Sequence, residues 1–349
     1  RYTDLSYIQI LTPPNPNLRW EKIRMINLGL DFASKNHVLS GSVEYYRKKG
    51  FDLIGRSPLD PTIGFSVGGR NEFIGNNSEL KGQGVDIQLN LNQNFGRINW
   101  TAQLFYSHST NEITRYDYES STISAYFTSV PVPVPGNPRY SIYSLRWAGL
   151  DPENGDPQIY LGGEITKDYG SILSNLTMDD LICEGSALPT SYGSLRQNFR
   201  LGDFAIGFNI TYKFGYYFRR PSLSYYALFN SWTGHEEFAD RWMNPGDEAV
   251  TQVPSIPAAG TSSTRDFIYT FADINVEKGD HIRFQDINFS YDLLHSKYPW
   301  LPFDKVSLYG YINNIGIIWR ANHSGLDPDY SFQPYPASRT FSLGINLTL

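Results

Sequence analysis

Aromatic side chains that lie near carboxylates and amides are the residues of this sequence best suited to hold a ligand. Tyr, Phe and Trp make up 15% of the 349 residues. An aromatic face can stack on a sugar ring while a neighbouring carboxylate or amide forms hydrogen bonds with the hydroxyl groups. From this pattern we predict a substrate-binding set of Tyr126, Trp147, Asp151, Trp232, Asp240 and Trp242, with Phe127, Tyr160, Asn230 and Trp319 as further candidates.

Each of these residues also has a structural alternative. Aromatic side chains in long connections pack those connections together, contact a partner protein, or form a girdle where an apolar zone meets water. For any single residue this structural role is the more common one. The candidates therefore need to be placed in a fold before a binding role is assigned.

Catalytic and metal-binding motifs are weak in this sequence. The segment GFSVG at Gly64–Gly68 matches a nucleophile elbow, but LDPTI precedes it and GRNEFIGNN follows, where the motif needs a buried strand and then a helix. The six histidines show no close pair at metal-ligand spacing. The carboxylates of LDPENGD, from Asp151 to Asp156, lack a complete calcium loop and are typical of a turn. We predict no catalytic residue, no metal site and no cofactor.

Charge and cysteine content exclude further classes. The net charge is −6, and no basic stripe of the kind that binds nucleic acid is present. Cys183 is the single cysteine, so an intrachain disulfide framework is excluded. No window approaches the roughly 18 apolar residues that would cross a membrane as a helix.

The secondary structure predicted around these candidates consists of β-strands. From Phe341 to Leu349, apolar residues alternate strictly with small or polar ones, and Phe204–Phe214 shows the same period of two. Such a strand has one apolar and one polar face, which suits either a soluble sandwich or a barrel with lipid outside and water inside. We predict nine strands, at 26–32, 38–46, 85–92, 98–107, 204–214, 222–230, 280–291, 306–312 and 341–349.

The connections between these strands decide between the two folds. They are about 5, 37, 3, 95, 7, 49, 13 and 26 residues long, so short and long alternate, as in outer-membrane barrels with periplasmic turns and extracellular loops. The aromatic turn Tyr216–Arg220 is predicted to form part of an interfacial girdle. The sequence therefore predicts an all-β, antiparallel transmembrane β-barrel with long extracellular loops. Because bacterial barrels have even strand numbers, we infer that Arg1 enters mid-barrel and that other strands lie outside this chain.

Several segments, in this order, resemble the C-terminal part of the SusC/RagA-type TonB-dependent outer-membrane transporters of Bacteroidetes. They are NPNLRWEK with INLGLDF and LSGSVEYYRKK, ELKGQGVDIQLNLN with INWTAQLFYSHSTNEI, WAGLDPENGDPQIYL, KGDHIRFQDINFSYDL, YINNIGIIW, GLDPD and YPASRTFSLGINLTL. The chain departs from the family pattern at Leu349, where many barrels end in an aromatic residue.

The resemblance implies a 22-stranded barrel in the bacterial outer membrane, of which residues 1–349 form the C-terminal part, about nine strands. It implies that the plug domain and the N-terminal strands are not in this chain. It also implies import of oligosaccharides or oligopeptides with a SusD-like surface lipoprotein as lid and with energy from TonB, ExbB and ExbD through the missing plug. Solute would descend along the polar strand faces, which include Gln88, Asn209, Thr211 and Asn346.

Two alternatives remain open at this point. One is a soluble or surface-attached all-β glycan-binding module, which would need its apolar strand faces covered by protein instead of lipid. The other is a secreted β-rich hydrolase, which would need a pair of carboxylates at catalytic separation.

Overall fold

The computed structural model describes residues 14–60, 62, 72–120, 122–258, 262–331 and 335–349. Within these residues the chain forms sixteen strands and three short α-helices. The strands are β1 (Lys22–Ala33), β2 (Leu39–Pro58), β3 (Glu72–Phe95), β4 (Ile98–Tyr116), β5 (Ser141–Leu145), β6 (Trp147–Leu150), β7 (Pro157–Leu161), β8 (Glu164–Thr166), β9 (Leu181–Ser186), β10 (Ser191–Leu201), β11 (Phe204–Phe214), β12 (Tyr217–Arg219), β13 (Val276–Lys278), β14 (His281–Leu294), β15 (Lys305–Arg320) and β16 (Thr340–Thr348). The helices are α1 (Ile172–Asn175), α2 (Tyr225–Ser231) and α3 (Thr264–Thr270).

One large antiparallel sheet forms the wall of the molecule. In the described part of the chain it has nine strands, in the order β1-β2-β3-β4-β10-β11-β14-β15-β16. Each strand pairs with its neighbour in the chain order of the wall, as an up-and-down barrel requires. The predicted all-β antiparallel architecture is confirmed.

The register gives the wall two chemically different faces. Leu308 pairs with Ile345 on one side and Tyr291 on the other, so apolar residues form continuous rows on the outward face. Asn209 pairs with Arg196 and Asp286, so polar residues form rows on the inward face. Because side chains alternate with a period of two, this register keeps lipid-facing and water-facing residues apart across the whole sheet.

One predicted wall strand is wrong, and one strand of the wall was not predicted. The segment 222–230 is not a strand of the wall, because most of it lies in α2, where the Ser224 hydroxyl caps the helix by accepting from the Ala227 N–H. The wall strand that was missed is β10, which pairs with β4 and β11. Its outward positions include Gly193 and Gln197, so its apolar alternation is weak.

The alternation of connections is present, with changed lengths. Segments 34–38, 96–97, 202–203 and 295–304 join strands at one edge of the wall, and 59–71, 117–190, 215–280 and 321–339 join them at the other. The aromatic turn predicted for a girdle lies in the second group instead. Tyr216 and Phe218 in it are buried, so this part of the prediction is wrong.

The long connections carry a core of their own. In the described residues, buried apolar side chains of this region form two clusters. The first contains Leu145, Ile159, Ile172, Leu176 and Ile268, and the second contains Leu223, Tyr225, Val253 and Tyr269. Among the described residues, each α-helix is too short and too polar to cross a membrane.

Candidate functional site

The long connections fold together at one edge of the wall. We call residues 117–190, 215–280 and 321–331 the loop assembly. The guanidinium of Arg265, which is 1% exposed, reaches across it to the Asp156 carboxylate at 2.7 Å and to the Ser255 carbonyl at 2.7 Å. The Ser255 hydroxyl in turn donates to the Asn154 carbonyl at 2.6 Å. These bonds hold two connections that are distant in sequence in one fixed arrangement.

A cavity of about 610 Å³ lies where the three connections meet. Eight of its 22 lining residues are aromatic, and they include Tyr126, Phe127, Tyr140, Tyr143, Phe218 and Phe271. Tyr126 and Tyr143 pack edge to face with their ring centroids 5.9 Å apart. Flat apolar walls with a few polar groups suit a sugar ring or an apolar side chain of a peptide.

Arg219 is one of three charged residues that line this cavity, together with Arg220 and Asp329. Its guanidinium donates to the carbonyls of Tyr143 at 2.6 Å and of Thr270 at 3.2 Å, and lies over the Phe271 ring at 5.0 Å. Burial lowers the pKa of Arg219 to about 10, although the nearby Glu184 carboxylate opposes that shift. Because its N–H groups are already bound to backbone oxygens, Arg219 shapes the cavity wall more than it offers free donors.

The third connection is fastened to the inner face of the wall through Asp329. Its carboxylate lies 2.6 Å from the Lys213 ammonium, 3.4 Å from the His281 Nε2 and 3.4 Å from the Arg283 guanidinium. Burial opposes ionisation, but the hydrogen bonds and charges of His281 and Lys213 outweigh it and hold the pKa of Asp329 well below its usual range. Asp329 also lines the cavity, so the wall and the loop assembly meet there.

Two of the aromatic candidates line this cavity. Tyr126 is buried, and its hydroxyl oxygen accepts from the Ser120 N–H at 3.4 Å. Phe127 packs against Phe267 and Phe271 with centroids 5.3 and 4.8 Å away. Both rings present part of their surface to the cavity, and their role in binding stays a prediction.

Three candidates lie inside the loop assembly, away from the cavity. Trp147 packs on Tyr269 at 5.9 Å, beside the second cluster. The Trp242 ring covers Gly155, where a Cβ would fall 2.4 Å from it, and its Nε1–H donates to Glu248 at 3.0 Å. These contacts give both side chains structural partners.

Asp151 has structural partners as well. Its carboxylate lies 2.5 Å from the Lys167 ammonium and accepts from the Glu153 N–H at 2.8 Å. Burial opposes ionisation, but Lys167 and these hydrogen bonds hold the pKa of Asp151 below its usual range. The LDPENGD segment therefore forms a closed turn, as predicted from its Pro, Asn and Gly content.

The remaining candidates are at the surface. Trp232 ends α2 in a left-handed conformation, with φ of 54°, and is 92% exposed. Asp240 is exposed and lies in a separate polar cleft with Arg241 and Asp247. Asn230 and Tyr160 are exposed, and Trp319 packs outside the wall on Phe214 at 6.2 Å. The structure does not gather the predicted set into one site, and its binding role stays a prediction.

One sequence pattern points to cavity residues that are not among the predicted candidates. Tyr216, Phe218 and Arg219 belong to an aromatic and basic run, YYFRRP, whose composition is unusual for a turn. The predicted strand order places this run at the wrong edge of the wall, because it lacks β10. Tyr140 and Phe271 carry no local pattern that points to a cavity.

The other motifs add no further site. The GFSVG segment at 64–68 lies outside the described residues. Across the described ranges, no group of three or more His, Cys, Asp or Glu side chains is arranged to hold a metal ion.

An up-and-down antiparallel wall, apolar outside and polar inside, with short turns at one edge and folded connections at the other, defines an outer-membrane β-barrel protein. The family model described as "TonB dependent receptor-like, beta-barrel" matches residues 1–230. The chain belongs to this family, and its location is the bacterial outer membrane. The family is one of membrane receptors and not of enzymes.

Similar proteins agree with this assignment. TonB-dependent receptor P26 of Formosa agariphila is 25% identical over 96% of this chain and 35% of its own length. TonB-dependent receptor SusC of Bacteroides thetaiotaomicron is 21% identical over 95% of this chain and 32% of its own length. The chain thus spans about a third of the curated relatives it matches.

A solved structure shows the same fold. The structure of the RagAB peptide transporter superposes with a TM-score of 0.72 at 20% identity, covering 99% of this chain and 37% of that one. The predicted likeness to SusC/RagA-type barrels is confirmed.

Proposed function

We propose that this chain is the C-terminal barrel portion of a TonB-dependent importer that moves oligosaccharides or oligopeptides across the outer membrane. The proposal is supported by its similarity to SusC and RagAB and by the fraction of those chains that it covers. A plug and further strands would come from the rest of the protein. A SusD-like lipoprotein would cover the loop assembly, and TonB with ExbB and ExbD would supply energy through the plug.

The observation that carries this proposal is the aromatic cavity above a polar inner wall. A ligand held by the rings of Tyr126, Tyr140 and Phe271 lies at the outer end of rows that include Asn209 and Asp286. Aromatic faces hold rings or apolar groups of a polar oligomer, and the polar rows below offer it exchangeable hydrogen bonds. A path of this kind suits solutes that are too large for a simple pore.

The exposed tyrosines of the loop assembly allow a matched test. Tyr140 lines the cavity and is 37% exposed, whereas Tyr160 is 36% exposed and does not line it. We expect Tyr140→Ala to weaken binding about 10-fold, since one stacking contact contributes up to about 1.5 kcal/mol. Tyr160→Ala should leave binding unchanged.

The measurement uses the full-length protein with its lipoprotein partner. Labelled oligosaccharide and oligopeptide mixtures are offered separately, and binding and cellular uptake are recorded with and without TonB. Uptake of one mixture that requires TonB and falls in Tyr140→Ala supports the proposal. Equal losses in both variants, or uptake without TonB, would contradict it.

A further inference from the structure

The outward face of β1 to β4 changes from apolar to basic partway along the strands. Between Phe95 and Val85 the outward residues of β3 are mainly apolar. Beyond Val85 the rows become basic: Arg24 pairs with Lys49 and Lys49 with Lys81, while Arg47 pairs with Ile26 and Gln83. We call Arg24, Arg47, Lys49 and Lys81 the basic rows.

The basic rows lie at a defined height on the barrel. The path along β3 from Phe95 to Val85 is about 33 Å long, and a strand tilt of roughly 40° reduces it to a height of about 25 Å. This height equals that of the lipid-facing apolar band of an outer-membrane barrel. The basic rows therefore begin about 5 Å beyond the hydrocarbon. They lie on the edge that carries the long connections, which is the level of the outer-leaflet headgroups.

Two of the four charges in these rows are paired with carboxylates, and two are not. The Lys49 ammonium pairs with Glu79 and the Lys81 ammonium with Glu112, each at 2.8 Å. Among the described residues, neither Arg24 nor Arg47 forms an ion pair. The Arg47 side chain is exposed on β2 between two neighbouring strands, whereas Arg24 is exposed on β1, the edge strand of the described wall. The rows therefore keep an excess of positive charge.

A small cleft adjoins the exposed arginine. It has a volume of about 320 Å³, and its lining includes Arg47, Lys81, Gln83, Thr110 and Glu112, whose carboxylate pairs with the Lys81 ammonium at 2.8 Å. A guanidinium beside ammonium, amide and hydroxyl donors is well suited to bind phosphate oxygens.

The charge is confined to one sector and one edge of the wall. At the top of β11 and β15 the outward residues are aromatic, Phe214 and Trp319. At the opposite edge, the outward ends of β3 and β4 are Phe95 and Ile98. Within the described part of the wall, Arg24 and Arg47 lie on β1 and β2, and Arg115 on β4 is paired with Glu79. A general requirement for solubility would not group basic residues in this way.

We propose that the basic rows bind the phosphorylated headgroup of an outer-leaflet lipid and fix that lipid against the outside of the barrel. The acyl chains would lie along the apolar outward face below, beside Tyr45 and Val85. Arg47 and Lys81 would hold the phosphate from the cleft side, and Arg24 would add a second positive charge. This inference concerns the outside of the barrel and does not depend on the transported solute.

Native mass spectrometry of the full-length protein in mild detergent can test this site. Phosphatidic acid, phosphatidylcholine and inorganic phosphate serve as separate probes, and the lipid retained on the protein is counted. Each basic group near an anionic surface contributes roughly five-fold in affinity, so the double variant Arg24→Gln/Arg47→Gln should retain phosphatidic acid about 30-fold more weakly. Phosphatidylcholine should bind weakly to all forms.

Arg97→Gln is the matched control, because Arg97 is also exposed but lies in the short turn between β3 and β4. It should retain phosphatidic acid like the unchanged protein. Heat-modifiable gel mobility checks that every variant is folded. Unchanged retention in the double variant, an equal loss in Arg97→Gln, or binding of inorganic phosphate that competes fully with the lipid would overturn the proposal.

Discussion

Apolar side chains are exposed on the outward face of the wall but buried in the loop assembly. Leu343 in the wall is 84% exposed on the outward face, whereas Leu145 in the loop assembly is fully buried. In the wall it is polar residues such as Arg283 and Asp286 that are covered, on the inward face. One chain thus follows the rules of a membrane barrel in one region and those of a water-soluble domain in the other.

This difference arises because the two regions are surrounded by different solvents. The wall gains stability when its apolar face meets lipid and its backbone bonds are closed within the sheet. The loop assembly stands in water and must bury its own clusters, around Ile159 and Leu223. Asp329 joins the two regions, since its partners Lys213 and His281 belong to the wall.

The largest effect is expected from removing the ion pair that crosses the loop assembly. Arg265→Met leaves Asp156 without its buried partner and should cost about 3 kcal/mol of local stability, or roughly a 100-fold larger open fraction. Limited proteolysis of the full-length protein measures this as faster cleavage in residues 117–190 and 215–280. The wall should keep its heat-modifiable mobility.

Arg241→Met is the control for this change, because the Arg241 guanidinium binds the Phe238 carbonyl of its own turn at 2.7 Å. It should cleave at nearly the unchanged rate. If Arg265→Met also unfolded the wall, the two regions would not be separate units of stability.

The next effect concerns the wall and its two faces. Leu89 points outward near the middle of the apolar band, and Asn90 points inward from the adjacent position. Leu89→Arg should destabilise the inserted barrel by about 2–4 kcal/mol, because it places a charge in hydrocarbon, while Asn90→Arg should be tolerated in the polar interior. Unfolding in denaturant from lipid vesicles compares the two. Equal costs would mean that the faces are assigned incorrectly.

The smallest effect concerns the joint between the regions, by which we mean the contacts of Asp329 with Lys213 and His281. Asp329→Asn weakens charge-assisted bonds to Lys213 and His281 and should cost about 2 kcal/mol in the docking of residues 321–331. Hydrogen exchange in that segment is the measurement. A change that appears equally in the first cluster, for example at Ile159, would argue against a local joint.

The pH dependence of this joint follows from the depressed pKa of Asp329. A carboxylate with a lowered folded-state pKa contributes fully above its ordinary value near 4, and the contribution is lost as the pH falls through the lowered value. Protection of residues 321–331 should therefore be constant from neutral pH to about pH 4 and should decrease only in stronger acid. Loss of protection near pH 6 would point to another group.

The wall was largely predictable from the sequence, and its errors have clear causes. Phe204–Phe214 and the last strand show strict alternation, since lipid and water act on alternate residues. β10 was not predicted, because Gly193 and Gln197 interrupt the apolar alternation of its outward face. The segment around Leu223 and Tyr225 alternates by chance, and the capping bond of Ser224 decides for a helix.

The loop assembly was not predictable in the same way. Its central ion pair joins Arg265 to Asp156, which are 109 positions apart in the sequence. No local hydrophobic periodicity predicts this contact. Aromatic content indicated that Trp147 and Trp242 matter, but only tertiary contacts separate a ring that lines a cavity from one that covers Gly155. Composition identified the kind of residue, and packing determines its place.

The alternation of tight turns with long connections also affects the order in which the strands pair during folding. The turns at 96–97 and 202–203 let β3 pair with β4 and β10 with β11 by local hairpin closure, which takes microseconds. Pairing of β4 with β10 must instead close the connection at 117–190, which is entropically costlier and slower. We therefore expect the barrel to assemble hairpin by hairpin, with the loop assembly completed only after its flanking hairpins have met.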